Sequence, residues 1–148
     1  MTGCGGSGAK QAAAQTVAGP GFSFAAPAGW QPAVGKQRAS ASHDDELLQV
    51  AAFPLLKPYS PALFRRVELE LRTRMKQLAA QTGGSVSNSA TVTTGGIRSH
   101  SYDVAVGDHV DQYTFVLRGR REFQLLCRRK SSSSDDACKQ LLTTFRVI

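Results

Sequence analysis

The sequence predicts an α+β fold: an α/β/α sandwich around a central antiparallel sheet. Three observations carry this. Apolar residues recur every second position over 85–130, interrupted by two-residue breaks that contain glycine. They recur at three-and-four spacing over 60–81, and a shorter stripe of the same kind closes the chain. Antiparallel strands and helices in separate runs are the α+β pattern, and both helices need the sheet to cover their apolar stripes. The chain has 148 residues, 41% of them hydrophobic and 20% charged, which suits one domain with its own core. No stretch approaches the roughly 20 apolar residues of a membrane-spanning helix.

Residues 1–20 are almost entirely Gly, Ala, Ser, Gln and Thr. Such a stretch has too little apolar surface to offset its ordering entropy, so it reads as a flexible tether, with the globular domain over 21–148. In "GFSFAAPAGW", Phe22 and Phe24 share one face of a strand that Pro27 ends, and Gly29-Trp30 begins a turn. Residues 38–53 read as a hairpin: "QRASAS", a turn at "HDDE", then "LLQVAAF". Pro54, Pro58 and Pro61 punctuate the next connection. A helix is expected from Ser60 to Gln81, with Ser60 as N-cap, Pro61 in the first position and Gly83-Gly84 as the stop. Its buried face is Phe64, Val67, Leu71, Met75 and Leu78.

Four strands follow at 85–94, 97–106, 109–118 and 121–130, joined by Gly95-Gly96, Gly107-Asp108 and Gly119-Arg120. Two-residue loops with glycine are the tight hairpin signal, because those turns need positive φ. Three in a row make a meander. The last helix is expected to begin with a capping-box-like Ser132/Asp135 or Ser133/Asp136, and its stripe is Cys138, Leu141, Leu142 and Phe145.

Cys127 falls on an apolar face of the last meander strand and Cys138 on the stripe of the last helix, so both point into one layer. A disulfide between them is the favoured reading; two buried reduced thiols are the alternative. Neither spacing nor setting suggests a redox pair.

Taken in order, "FSFAAPAGW", the long amphipathic helix, the meander near "VTTGGIRSHSYDV" and the ending "FQLLCRRKSSSSDDACKQLLTTFRV" resemble the Mog1/PsbP-like domains, especially small actinobacterial lipoproteins of that fold. The resemblance covers residues 21–148. It implies an α/β/α sandwich but no single function, since that family includes a photosystem-assisting subunit, a GTPase-binding nuclear protein and many bacterial lipoproteins.

The opening "MTGCGGSGAK" superficially fits a dinucleotide loop and a P-loop. The first lacks a preceding strand, and the second lacks the Lys-Ser/Thr ending. Thr2-Gly3-Cys4 is lipobox-like, and Cys4 is the expected lipid attachment point, with a charged and an apolar signal segment expected upstream. The expected location is extracytoplasmic, anchored to the membrane by that lipid.

No G-x-S-x-G, H-E-x-x-H or zinc-type cysteine spacing occurs, and no enzyme, metal or cofactor is expected. His43 with Asp44-Asp45 reads as a solvated turn rather than a cation site. His109 with Asp111 is the one pair from which a weak hydrolase could be built. The net charge of +7 favours anionic partners. Two basic clusters are candidate surfaces for a protein partner or an anionic envelope component. They are Arg65, Arg66, Arg72, Arg74 and Lys76 on the helix, and Arg118, Arg120, Arg121, Arg128, Arg129 and Lys130 at the meander's end. Without interleaved stacking aromatics, nucleic acid is not expected. The alternative function is a small-molecule module with a pocket between the sheet and the long helix.

Overall fold

The computed structural model describes residues 14–148. In chain order these form β1 (Gln15–Gly19), β2 (Phe22–Ala26), β3 (Gln31–Val34), β4 (Arg38–His43), β5 (Glu46–Tyr59), a 3-10 turn (Pro61–Leu63), α1 (Phe64–Thr82), β6 (Ser85–Thr94), β7 (Ile97–Val106), β8 (His109–Lys130), α2 (Asp136–Thr144) and β9 (Arg146–Val147). The main antiparallel sheet has the order β3-β4-β5-β8-β7-β6, and a smaller sheet has the order β1-β2-β9. The fold is α+β, as the sequence predicts.

Order begins earlier than expected. Residues 15–19 belong to the stretch read as a tether, yet they pair with β2 from Gln15↔Ala26 to Gly19↔Phe22. The composition argument failed here because it ignored the partner. Pro20-Gly21, with Gly21 at φ 82, is a two-residue turn that folds β1 back on β2. The pairing buries Val17 to 3% exposure. The Gln15 side-chain amide then donates to the carbonyls of Pro27 (3.1 Å) and Trp30 (2.6 Å). Cys4 lies outside the described residues.

β8 is one unbroken run of extended backbone that nevertheless folds on itself. The Ser131 N–H donates to the Asp108 carbonyl at 2.7 Å, and Arg128 bonds Asp111. A straight strand would hold Asp111 and Arg128 about 55 Å apart at roughly 3.3 Å per residue. Both contacts fit one register, with Gly119-Arg120 as the turn and Gly119 at φ 58. The 109–118 arm pairs with β7 and the 121–130 arm with β5, so the expected meander is intact. Its other turns are equally tight: Gly95 and Gly96 both have positive φ, as does Gly107.

Successive residues of a strand face opposite sides, and the two sides of the main sheet have separate cores. On one side, Ala39, Ala41, Leu48, Val50, Val116, Phe123 and Leu125 meet the small sheet (Val17, Phe22, Phe24) and α2 (Leu141), with Phe145 just after it. On the other, Tyr102 and Phe115 meet Leu71 and Met75 of α1, flanked by Val67 and Leu78. α1 begins one turn later than expected because Pro61–Leu63 is 3-10, and the Ser60 side chain makes no cap bond. Gly83, left-handed at φ 77, ends it. At α2 the expected capping serines are replaced by Ser134, whose hydroxyl accepts from the Asp136 N–H at 3.0 Å.

α1 lies against β6 and β7. The β5 side of that sheet face is left without a helix, and this offset creates the cleft described next.

Candidate functional site

Cys127 and Cys138 are bridged, with Cα atoms 5.5 Å apart, and both are buried in the α2-side core. The bond pins the start of α2 to the second arm of β8. Both cysteines lie almost wholly inside the core, at 1% and 3% exposure.

β5 makes the cleft. Its ladder to β8 runs from Leu47↔Arg128 to Pro54↔Arg121, then jumps to Tyr59↔Gly119. Pro54 and Pro58 have no N–H to donate, so 55–58 leave the ladder and stand as an overhang. Leu56 on it is 98% exposed. The space between this overhang, α1 and the first arm of β8 is about 580 Å³. Its floor is apolar: Leu63, Val67, Leu71, Phe115 and Leu117, with Leu55 from the overhang. Its rim is charged: Lys57, Arg66 and Arg74 against Glu70 and Glu122. Arg74 lies 3.9 Å from Glu122, which also accepts from the Gln124 amide at 2.7 Å. Lys57, Leu55 and Leu56 were invisible as site residues in the sequence, because only the jump in the ladder turns them outward.

The basic residues expected to act together do not all do so. On α1, Arg65, Arg66, Arg72, Arg74 and Lys76 are exposed, and Arg72 pairs with Glu68 at 3.6 Å. The six on β8 separate into two groups, because the arm runs the length of the sheet. At about 3.3 Å per residue, Arg121 and Arg128 are about 23 Å apart. The group at the open end is occupied structurally. Arg128 makes a bidentate pair with Asp111 (2.8 and 3.0 Å), Arg129 donates to the Ser133 carbonyl at 3.3 Å, and Lys130 lies 3.8 Å from Asp45. Hydrogen bonding to Asp111 holds the Arg128 guanidinium even more firmly protonated than usual. At the tip, Arg121 donates to the Pro20 carbonyl at 2.9 Å and stacks over Phe123. Arg118 and Arg120 remain exposed, and Arg120 donates to the Leu56 carbonyl at 3.3 Å. Arg120 also lines a smaller recess of about 250 Å³ with Lys36 and Arg121. The tip, the overhang and one flank of α1 thus gather Lys36, Lys57, Arg66, Arg74, Arg118 and Arg120 at one end of the sheet.

The remaining histidine chemistry is also placed. His109 lies 3.9 Å from Asp111, but both oxygens of that carboxylate are taken by Arg128. His109 faces Asp108 at 3.7 Å on its other nitrogen, and no hydroxyl bonds it among the described residues. The pair is not built to activate a nucleophile. His43 stacks on Trp30 with Asp44 at 3.5 Å, all at a surface turn. Among the described residues no group of three or more His, Cys, Asp or Glu is arranged to hold a metal ion, and no helix is long and apolar enough to cross a membrane. His100, 3% exposed, stacks on the Phe64 ring at 3.9 Å, and its Nε2 has no partner. Burial pushes its pKa down, Arg98 adds to that shift, and Glu68 and the Phe64 backbone oppose it.

No protein-family model matches the sequence, and neither does any curated protein. Solved structures do. Cyanobacterial PsbP from Synechocystis sp. PCC 6803 aligns with a TM-score of 0.65 at 14% identity, over 93% of this chain and 94% of that one. A protein from Bacteroides thetaiotaomicron VPI-5482 aligns with a TM-score of 0.61 at 13% identity, over 86% of this chain. This chain spans only 45% of that protein's length. The fold therefore resembles that of cyanobacterial PsbP, and at these identities the likeness is one of fold alone.

Proposed function

We propose that this chain is a non-catalytic binding module of the extracytoplasmic surface. A lipid on Cys4 ties it to the membrane, and the hairpin-tip end of its sheet engages an anionic envelope component or an acidic protein face. The observation that carries the reading is the set of cations at that end. Lys36, Lys57, Arg66, Arg118 and Arg120 are in no ion pair among the described residues. The opposite end of β8 carries Arg128, Arg129 and Lys130, but those are tied to Asp111, the Ser133 carbonyl and Asp45. Exposed charge without local partners is available to a partner. The non-catalytic part is supported by Asp111 being held by Arg128 rather than free to orient His109. The disulfide fits an oxidising compartment.

The test is binding of the unlipidated full chain to vesicles of anionic and of zwitterionic phospholipid and to acidic envelope polymer. Binding is expected only to the anionic surfaces, weaker as salt rises, and lost in Arg118→Glu/Arg120→Glu. Lys139→Glu, a change on α2, should bind normally. Failure of the wild type to bind at low salt, or equal binding by the tip variant, would sink the reading.

A further inference from the structure

The cleft beside α1 is a ligand site of a different kind from a charged surface. We infer that it binds an amphipathic anion: a single acyl chain along the apolar floor with its carboxylate or phosphate head at Arg66 and Lys57. This does not rest on the tip surface acting as a docking face.

Three observations converge. First, shape: the lining follows α1 from Leu63 to Arg74, about 16 Å at roughly 1.5 Å per residue. The volume of about 580 Å³ falls in the ligand-site range of roughly 300–1,000 Å³. A lining that extends about 16 Å along one helix suits a chain better than a compact ring system. Second, the floor: Leu71, Phe115 and Leu117 are core residues that also line this cleft, and Leu55, Leu63 and Val67 extend the same surface. Covering it removes apolar area from water, which is the main drive for binding. A free carboxylate or phosphate alone would leave that floor wet. Third, charge: Arg74 is already held by Glu122 at 3.9 Å, whereas Arg66 and Lys57 are in no ion pair among the described residues. They lie on opposite walls, one on α1 and one on the overhang, so an anionic head between them is gripped from both sides. Glu70, on the same helix face, disfavours a second anionic group and makes a single anionic head on a neutral tail the better fit.

The overhang is the outer wall. Residues 55–58 are outside the β5–β8 ladder, and the Arg120 side chain donates to the Leu56 carbonyl from the hairpin tip. Leu56, 98% exposed, is positioned to fold over an occupant.

The probe is cis-parinaric acid, a fluorescent eighteen-carbon polyene carboxylate, titrated at submicellar concentration into the unlipidated full chain. Saturable one-to-one binding is expected, with the methyl ester at least about tenfold weaker. Arg66→Glu/Lys57→Glu should weaken the acid by a similar factor without changing the circular dichroism of the fold, and Leu55→Asp should weaken acid and ester alike. Lys139→Glu should leave both unchanged. Displacement by palmitate identifies a free fatty acid as the source of the chemistry; displacement by monomeric dihexanoyl phosphatidylglycerol identifies a membrane lipid. No saturable binding, an ester that binds as well as the acid, or an undiminished Arg66→Glu/Lys57→Glu variant overturns the inference. Lys36→Glu/Arg118→Glu, which leaves the Arg120 bond to the overhang in place, should weaken vesicle binding yet keep parinarate, so the two readings fail separately.

Discussion

Replacing both Cys127 and Cys138 by alanine removes a cross-link between residues 11 apart in the chain. In the loop-entropy picture a ring of that size restricts the unfolded chain by about 9 cal/mol/K, or about 2.8 kcal/mol at 25 °C. Both sulfurs are also buried, so the alanine pair leaves a small void worth about 1 kcal/mol more. The total of about 4 kcal/mol is a large share of the roughly 5–15 kcal/mol that holds a domain folded. With about 2.1 cal/mol/K of unfolding entropy per residue, the expected fall in Tm is about 10–14 °C. Reduced wild type keeps the sulfurs but opens the ring, so it separates the two contributions. Urea and thermal unfolding of oxidised wild type, reduced wild type and the double variant would be compared. The reduced protein should show most of that roughly 4 kcal/mol loss, and its m-value should rise because its unfolded chain is less compact. Oxidised and reduced wild type of equal stability would refute the reasoning, as would quantitative labelling of both thiols in the folded, unreduced protein.

Two other perturbations have defined signs. Asp111 is 6% exposed and Arg128 40%, so Arg128→Ala leaves a nearly buried carboxylate without its bidentate partner. Breaking a buried pair costs roughly 3–5 kcal/mol, and water reaching the exposed side reduces this to about 2–3 kcal/mol. Asp111→Ala/Arg128→Ala should recover part of that in urea unfolding; a single variant as stable as wild type would show that the pair is dispensable. His100 is held neutral by burial, with its pKa below the ordinary 6.5. The unfolded chain therefore takes up a proton first. Stability is full above the ordinary value and declines as pH falls through it, levelling off only below the folded-state pKa. Glu68 and Arg98 face the ring from α1 and β7 and act in opposite directions. His100→Phe should flatten the acid limb of the urea midpoint between pH 7 and 5; an unchanged limb would count against His100 as its source.

The elements most legible in the sequence were those specified by a few neighbouring residues. Gly95-Gly96, Gly107-Asp108 and Gly119-Arg120 marked the three turns because positive φ is a local demand. The stripe Phe64, Val67, Leu71, Met75, Leu78 set α1 because period alone selects a buried face. Cys127 and Cys138 were matched because both fell on faces directed into one layer. What was missed depended on partners. β1 looked like tether until β2 gave Val17 a place to be buried. The basic residues of 118–130 looked like one cluster because they are close in sequence, yet an extended arm carries its two ends to opposite edges of the sheet.

Sequence by itself determined the repeating elements of this protein: hairpins, an amphipathic helix, a closing helix whose cysteine faces the same layer as Cys127, and an excess of positive charge. These follow from backbone sterics and alternation, which act over two to four residues. Only the tertiary structure decided which charges are free. Arg128 and Arg118 are alike as residues, but one meets Asp111 across the hairpin and the other meets no acid among the described residues. It also decided that a cleft exists. α1 sits over β6 and β7, the β5 ladder breaks between Pro54 and Tyr59, and the gap between them opens onto Phe115 and Leu117. A cleft is the space left where packed elements fail to meet, and that depends on long-range register and helix placement rather than on any local pattern.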